Sequence, residues 1–540
     1  MTERRALALL VLLHLAMIAV VQPRGDFPIN DDWAFAQSVR WLLDEGRLRL
    51  SDWVPMDLVP QAYAGALAAS VAGFSFEILR HVTQGVAVLA LVAAFAWFRV
   101  AGLDARASFA ASAVLAAFPA WPVLANSFMT DLYALLLALP AAALFAKTLR
   151  NGGTPILALA TLVSVAGVLE RQVVLAIPFA FLVAWLWTRR WTLRALVFAL
   201  APLVVSLAAL LAFQAYLDAG PGIPEMQRMA HGRVVRMAAG VLTNEAGLVR
   251  WAAGNFGSIF GYLGLFSAGW IAWWGVRAEP PVRRQLILGG GFVIMALSLA
   301  GGWLPPYREN QVMDAIGIGP LMLYDAVRSH APLDRSAGWI WPVAAVGASF
   351  GLSAVTVAIV TCAKRAIHAG RDADPLTVFL VALLAGYLGP FIVTDYFDRY
   401  LLFILPFLIV LVTRAWPVQP EGTALRKLGI AWIFVALFLG AAATRDYFSW
   451  NRARWDAIHL ARKLGGDANS IDGGFEYGGV ARYEKREGHG LPGKSWYWVR
   501  DDAFVVAFSK MDGYDEVETW KVPRWLSRSP AEVKLLRRKP

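Results

Sequence analysis

The chain has 540 residues, 58% of them hydrophobic and only 16% charged, with a net charge of +11. That excludes a water-soluble enzyme, which would need far more charge to cover its surface. The positive balance is not a sign of nucleic acid, because Lys and Arg sit largely in short loops between apolar runs, where they set membrane topology. The single cysteine, Cys362, lies inside an apolar run and excludes an intrachain disulfide.

Taken in chain order, run length predicts about 13 crossings, each near the 20 or so residues a bilayer needs. They fall at 5–22, 79–101, 108–125, 130–147, 154–169, 172–188, 194–217, 253–276, 285–303, 338–362, 375–393, 400–415 and 426–443. The first is long enough to span and no small-residue cleavage site follows it, so it reads as a retained helix rather than a signal peptide. The run 57–74 is shorter and more polar, and reads as an interfacial or re-entrant segment or as a further crossing.

The positive-inside rule orients this count. With Arg4 and Arg5 inside, the predicted inner loops carry Lys147 and Arg150, then Arg189, Arg190 and Arg194, then Arg277, Arg283 and Arg284, then Lys364, Arg365 and Arg371, and last Arg414, Arg426 and Lys427. The opposite face holds 23–56, 218–252, 304–337 and the tail from Thr444. The tail is charged and aromatic. It has helical spacing from Trp450 to Leu464, a Gly465-Gly466 stop and strand-like pieces such as Phe504 to Phe508. The expected fold is an all-α polytopic membrane bundle over 1–443, with a first outer loop at 23–56, and a small extramembrane α/β domain over 444–540.

Polar residues that interrupt apolar runs are the candidate site. NDDWAFAQSVRWLLDEG begins with Asp31 and Asp32 ahead of a helical pattern. One carboxylate suffices as an N-cap, which leaves the second at the membrane surface. VLERQVV places Glu170, Arg171 and Gln172 in a break between two crossings, readable as a tight hairpin with an internal ion pair or as a wall of a cavity. TDYFDRYLLFILP carries Asp395, Asp398, Arg399 and Tyr400. Arg399 opens a crossing, where its guanidinium could fork onto a phosphate or could anchor an aromatic belt. LPPYRENQVMD, with Arg308 and Glu309, is a further candidate, as is the loop 218–252 with Arg228, His231, Arg233 and Arg236. That basic loop suits either an anionic lipid head or a solvated face. Phosphate-cradling glycine loops and HExxH are absent, and the seven histidines are scattered.

In order and sidedness these motifs resemble the polytopic glycosyltransferases of the GT-C fold, which include the protein O-mannosyltransferases and the lipid A aminoarabinose transferases. NDDWAFAQSVRWLLDEGRLRLSDW resembles that family's first outer loop, and NSFMTDLYALLLALPAAALFAK its helix opening with an acidic residue, here Asp131. VLERQ resembles its polar break, and DRYLLFILPFL its late RY-hydrophobic-P helix. The chain reads DLVPQAYAG where the aminoarabinose transferases often have Lys-Pro-Pro.

The resemblance implies a polyprenyl-phosphate sugar donor and a lipid, glycan or protein acceptor on the extracytoplasmic face of a membrane, expected to be a bacterial inner membrane. Asp31 or Asp32 would act as general base. Arg399, Arg171 and Arg308 would meet the charge developing on the leaving phosphate, with Glu170, Asp398 and Tyr400 beside them. Neither the resemblance nor the residues demand a metal, although a divalent ion could assist one carboxylate. A lipid or ion transporter or flippase is the rival reading. It predicts charges at mid-membrane depth and inverted halves, whereas here the charges gather at one face. A non-catalytic scaffold is a further alternative.

Overall fold

In a computed structural model the described residues are 1–230, 232, 245–274, 281–300, 313, 340–416, 424–483, 498–526 and 531–540. The first half of the chain holds α1 (Glu3–Val21), α2 (Asp32–Glu45), α3 (Val59–Ala72), α4 (Phe76–Val100), α5 (Ala105–Ala116) and α6 (Trp121–Ala125). They are followed by α7 (Asp131–Asn151), α8 (Thr154–Glu170), α9 (Ala176–Thr188) and α10 (Leu193–Ala219). The second half holds α11 (Glu245–Trp274), α12 (Pro281–Ala300), α13 (Ile340–Ala369), α14 (Pro375–Val393), α15 (Leu401–Ala415), α16 (Ala424–Lys463) and α17 (Phe475–Arg482).

Among the described residues eight helices are long and apolar enough to cross a membrane, so the chain is an integral, multi-pass membrane protein. Several of the other expected crossings are shorter helices. The apolar stretch 108–125 is divided by a turn between α5 and α6, where Pro122 opens the second piece. The stretch 154–188 is divided at Arg171, whose backbone is extended at φ −148°, ψ 126°. The segment 57–74 contains the 14-residue helix α3, shorter than a crossing.

Short polar side chains fix where the helices start. Ser75, Asp104, Thr192 and Asp374 each accept a backbone N–H from the first turn of the helix they precede. Asp26, in the first loop, reaches the same end of α4 as Ser75 and accepts the N–H of Phe76 at 2.7 Å. Elsewhere glycine permits close approach. A Cβ on Gly264 of α11 would lie 2.3 Å from the Leu352 nitrogen of α13, so these two helices touch backbone to backbone. At the centre, α15 is buried along nearly its whole length.

α16 is one continuous 40-residue helix, which carries the chain past the boundary expected at 443/444. Beyond it lie α17 and a four-stranded sheet in the order β1 (Ile471–Asp472), β2 (Phe504–Ala507), β4 (Ala531–Arg538), β3 (Tyr514–Val522). β1 is parallel to β2 and the other pairings are antiparallel. The C-terminal part of the chain thus holds a small β-sheet region.

Candidate active site at the loop end of the bundle

The first loop is clamped before it reaches its aspartates. Arg80, near the start of α4, is buried and donates to the carbonyls of Pro23, Gly25, Phe27 and Asn126 at 2.8–3.0 Å. Past this clamp Asn30 adopts φ +55°, a left-handed conformation that asparagine tolerates better than most residues. Its N–H donates to Glu476 Oε1 at 3.0 Å, and Arg454 holds the other oxygen of that carboxylate at 2.8 Å. The tail thus grips the turn in front of α2.

Asp31 is the N-cap of α2, but through its backbone. Its carbonyl accepts the Ala34 N–H at 2.9 Å and its side chain makes no capping bond. The carboxylate is free to face the bundle. Oδ1 accepts the indole N–H of Trp53 at 2.9 Å, and Oδ2 lies 3.9 Å from Arg399 Nη2. Asp32 makes different contacts. It is 3% exposed, its Oδ2 accepts the Ile29 N–H at 3.3 Å, and its Oδ1 has no hydrogen-bond partner among the described residues. Burial pushes the Asp32 carboxyl up to about 7, opposed in part by backbone N–H groups and by Arg80. Burial also raises Asp31, while Arg399 and the Trp53 hydrogen bond pull it back.

Asp131 opens α7 and lies at the centre of the site. Arg171 Nη1 donates to its Oδ1 at 2.6 Å and Arg399 Nη1 to its Oδ2 at 3.0 Å. The extended backbone at Arg171, between α8 and the turn before α9, is what brings that side chain across to α7. The Tyr400 ring lies under both guanidiniums, 4.7 Å from the Arg171 Cζ and 5.4 Å from the Arg399 Cζ. The Tyr400 carbonyl accepts the Tyr387 hydroxyl at 2.7 Å. Arg399 Nε is buried and has no hydrogen-bond partner among the described residues.

The structure therefore brings together Asp31, Arg171, Arg399 and Tyr400, with Asp398 and Glu170 on the adjoining turns. Asp398 is buried and accepts the backbone N–H of Arg399 at 2.7 Å and of Met313 at 2.9 Å, which fixes the strand of chain carrying Arg399. Glu170 reaches away from the array. Its Oε2 accepts the Gln61 N–H at 2.9 Å, serving the first turn of α3, and its Oε1 is buried with no partner among the described residues. Asp395 is exposed, as is Arg228. Arg308, Glu309, His231, Arg233 and Arg236 lie outside the described residues.

Residue-by-residue reading gave no role to Asp131, Trp53, Arg80 or Glu476. A charge at the start of an expected crossing was the available signal for Asp131 and Arg80. Among the described residues no group of three or more His, Cys, Asp or Glu is placed to hold a metal ion.

No protein-family model matches the chain, and no curated protein sequence matches it. Among solved structures, the chain is similar to ArnT from Cupriavidus metallidurans in the apo state, at 14% identity and a TM-score of 0.43, over 99% of this chain and 98% of that one. It is also similar to the same protein bound to undecaprenyl phosphate, at 14% identity and a TM-score of 0.41, over 98% and 97% of the two chains.

Proposed function

We propose that the chain is a membrane glycosyltransferase that moves a sugar from a polyprenyl-phosphate donor to an acceptor hydroxyl on the extracytoplasmic face. The observation that carries this reading is the buried array of Arg171, Asp131 and Arg399, with Asp31 beside it at the loop end of the bundle. In this reading Asp31 takes the acceptor's hydroxyl proton, the acceptor oxygen bonds to the sugar's anomeric carbon, and the bond from that carbon to the phosphate oxygen breaks. The leaving group is the polyprenyl phosphate, which gains a negative charge.

Electrostatic arithmetic favours Asp31 over Asp32. Two guanidiniums face two carboxylates, Asp131 at hydrogen-bond distance and Asp31 at 3.9 Å. When Asp31 accepts a proton, this four-group array becomes net positive at the moment the phosphate becomes more negative. Preorganised positive charge in a site shielded from water is the strongest means a protein has of stabilising such a leaving group. Asp32 bonds instead to the turn in front of α2.

The test is transfer of label from polyprenyl-phosphate sugars in membranes, comparing wild type with Asp31→Asn and Arg399→Lys at matched expression. Transfer by wild type and its loss in both variants is the expected result. Label that moves from no donor, or an Asp31→Asn variant that keeps the wild-type rate, would sink the proposal.

A further inference from the structure

α2 and α17 face each other across a cleft of about 430 Å³ that is separate from the buried array. Arg40 and Arg49 line it from the first loop and Arg482 from the tail, with Trp33, Trp41 and Phe74 between them. Asp52 is the only carboxylate among the described lining residues. Two of the arginines lie over aromatic rings: the Arg40 Cζ lies 4.5 Å from the Phe74 centroid and the Arg49 Cζ 4.2 Å from that of Trp41. A cation–π contact of this kind restrains the guanidinium without using up its N–H donors, which stay available to a ligand. Among the described residues Arg49 has one distant carboxylate, Glu45 at 3.7 Å, and Arg482 donates to the Asn469 carbonyl, at 3.4 Å, while its Nε and Nη2 have no partner there.

The cleft is coupled to the array through aromatic contacts, the Tyr483 ring on its wall lying 6.0 Å from that of Trp53. Trp33, on its wall, packs 6.1 Å from Trp53, whose indole N–H holds Asp31. Flat aromatic walls suit the C–H faces of a sugar ring, and forked guanidiniums suit an oxyanion on that ring.

We infer that this cleft binds the acceptor, and that the acceptor is an anionic saccharide bearing a phosphate or a carboxylate; the acceptor role rests on the transferase reading above. Binding is measured on the full-length protein in detergent by calorimetry, with glucuronate as the probe and glucose and inorganic phosphate as controls. Glucuronate binds at least about tenfold more tightly than either control, and Arg40→Ala with Arg49→Ala removes about that factor. Both arginines lie at least partly at the surface, so the variant keeps the fold.

Glucuronate binding unchanged in that variant overturns the inference, and so does equal binding of inorganic phosphate, which would mark an adventitious anion patch. The two readings fail separately. Wild-type transfer insensitive to both arginines overturns the acceptor site and leaves the transferase standing. Absence of transfer from every donor, with arginine-dependent glucuronate binding intact, overturns the transferase and upholds the anionic-saccharide site.

Discussion

The array around Asp131 and the ion pairs of the C-terminal sheet use the same side chains at the same distances. Asp131 meets Arg171 at 2.6 Å and Arg399 at 3.0 Å, and Arg538 meets Asp501 at 2.8 Å and Asp502 at 2.9 Å. Depth separates them. The side chains of Arg171, Asp131 and Arg399 are 4–9% exposed, whereas that of Arg538 is 46% exposed. Distance therefore does not rank these pairs. A buried guanidinium that loses its carboxylate cannot turn to water, and a surface one can.

The largest expected effect follows from breaking the buried member of this comparison. Asp131→Asn removes the one charge shared by two buried guanidiniums, and breaking such a pair destabilises by about 3–5 kcal/mol. Thermal unfolding in detergent should show a large fall in Tm together with loss of transfer. A Tm equal to wild type would mean that the array is solvated and that its depth has no energetic consequence.

The two neighbouring aspartates sharpen the comparison, because they differ in partners rather than in chemistry. Asp31→Asn should lower transfer by about 10²–10⁴-fold, the usual contribution of a general base, with thermal stability close to wild type. Burial raises the Asp31 pKa, so wild-type transfer should fall on acidification at a pH above the ordinary carboxylate range. Asp32→Asn should show itself in stability. The folded-state pKa of Asp32 is raised from 3.8 to about 7, so the folded protein holds a proton that the unfolded chain releases. The resulting stabilisation is complete below the unfolded pKa and is lost as pH rises through the folded one. Asn cannot ionise, so the Tm of the variant relative to wild type should climb between about pH 4 and about pH 7. A difference that stays flat across that window would assign Asp32 an ordinary, solvated carboxyl.

The grip of the tail on the α2 turn gives a smaller effect. A Cβ on Gly479 of α17 would lie 2.3 Å from Trp33, so Gly479→Ala must push α17 away from α2. Overpacking of this kind destabilises by about 1–3 kcal/mol. The same movement loosens the Glu476 contact to Asn30, so a partial loss of transfer should accompany the lowered Tm. Unchanged transfer alongside a lowered Tm would show that the tail braces the fold without positioning Asp31.

How much of this was legible in the sequence follows the same division by depth. Apolar run length announced the helices because the hydrocarbon core of a bilayer sets their length. NDDW, VLERQ and FDRY stood out because charge within such runs is exceptional. The pairings were not legible. Asp131 and Arg399 are 268 residues apart, and only the packing of α7 against the turn before α15 brings them together. The choice between Asp31 and Asp32 depends on which side of one helical turn faces Arg399, a rotation that no spacing rule reports. Arg80 stands near the start of an expected crossing, where an arginine could as well reach to the interface, and its clamp on four carbonyls is a property of the folded loop. The continuity of α16 was hidden by its change from apolar to charged at Thr444, since a helix that leaves a bilayer changes composition without changing backbone.

The exposed member of the opening comparison gives the smallest expected effect and serves as its control. Arg538→Ala removes contacts to both Asp501 and Asp502, the same number of carboxylates that Arg399 approaches in the array. Asp501 is 45% exposed and can be solvated once its partner is gone. Asp502 is 6% exposed and its N–H already donates to Asp501, so the local turn keeps its backbone contact. The Asp502 carboxylate stays buried, so the Tm of this variant should fall, but by clearly less than that of Asp131→Asn, and transfer should be unaffected. A fall in Tm comparable to that of Asp131→Asn would overturn the ranking by depth, because two pairs matched in distance but not in burial would then contribute alike.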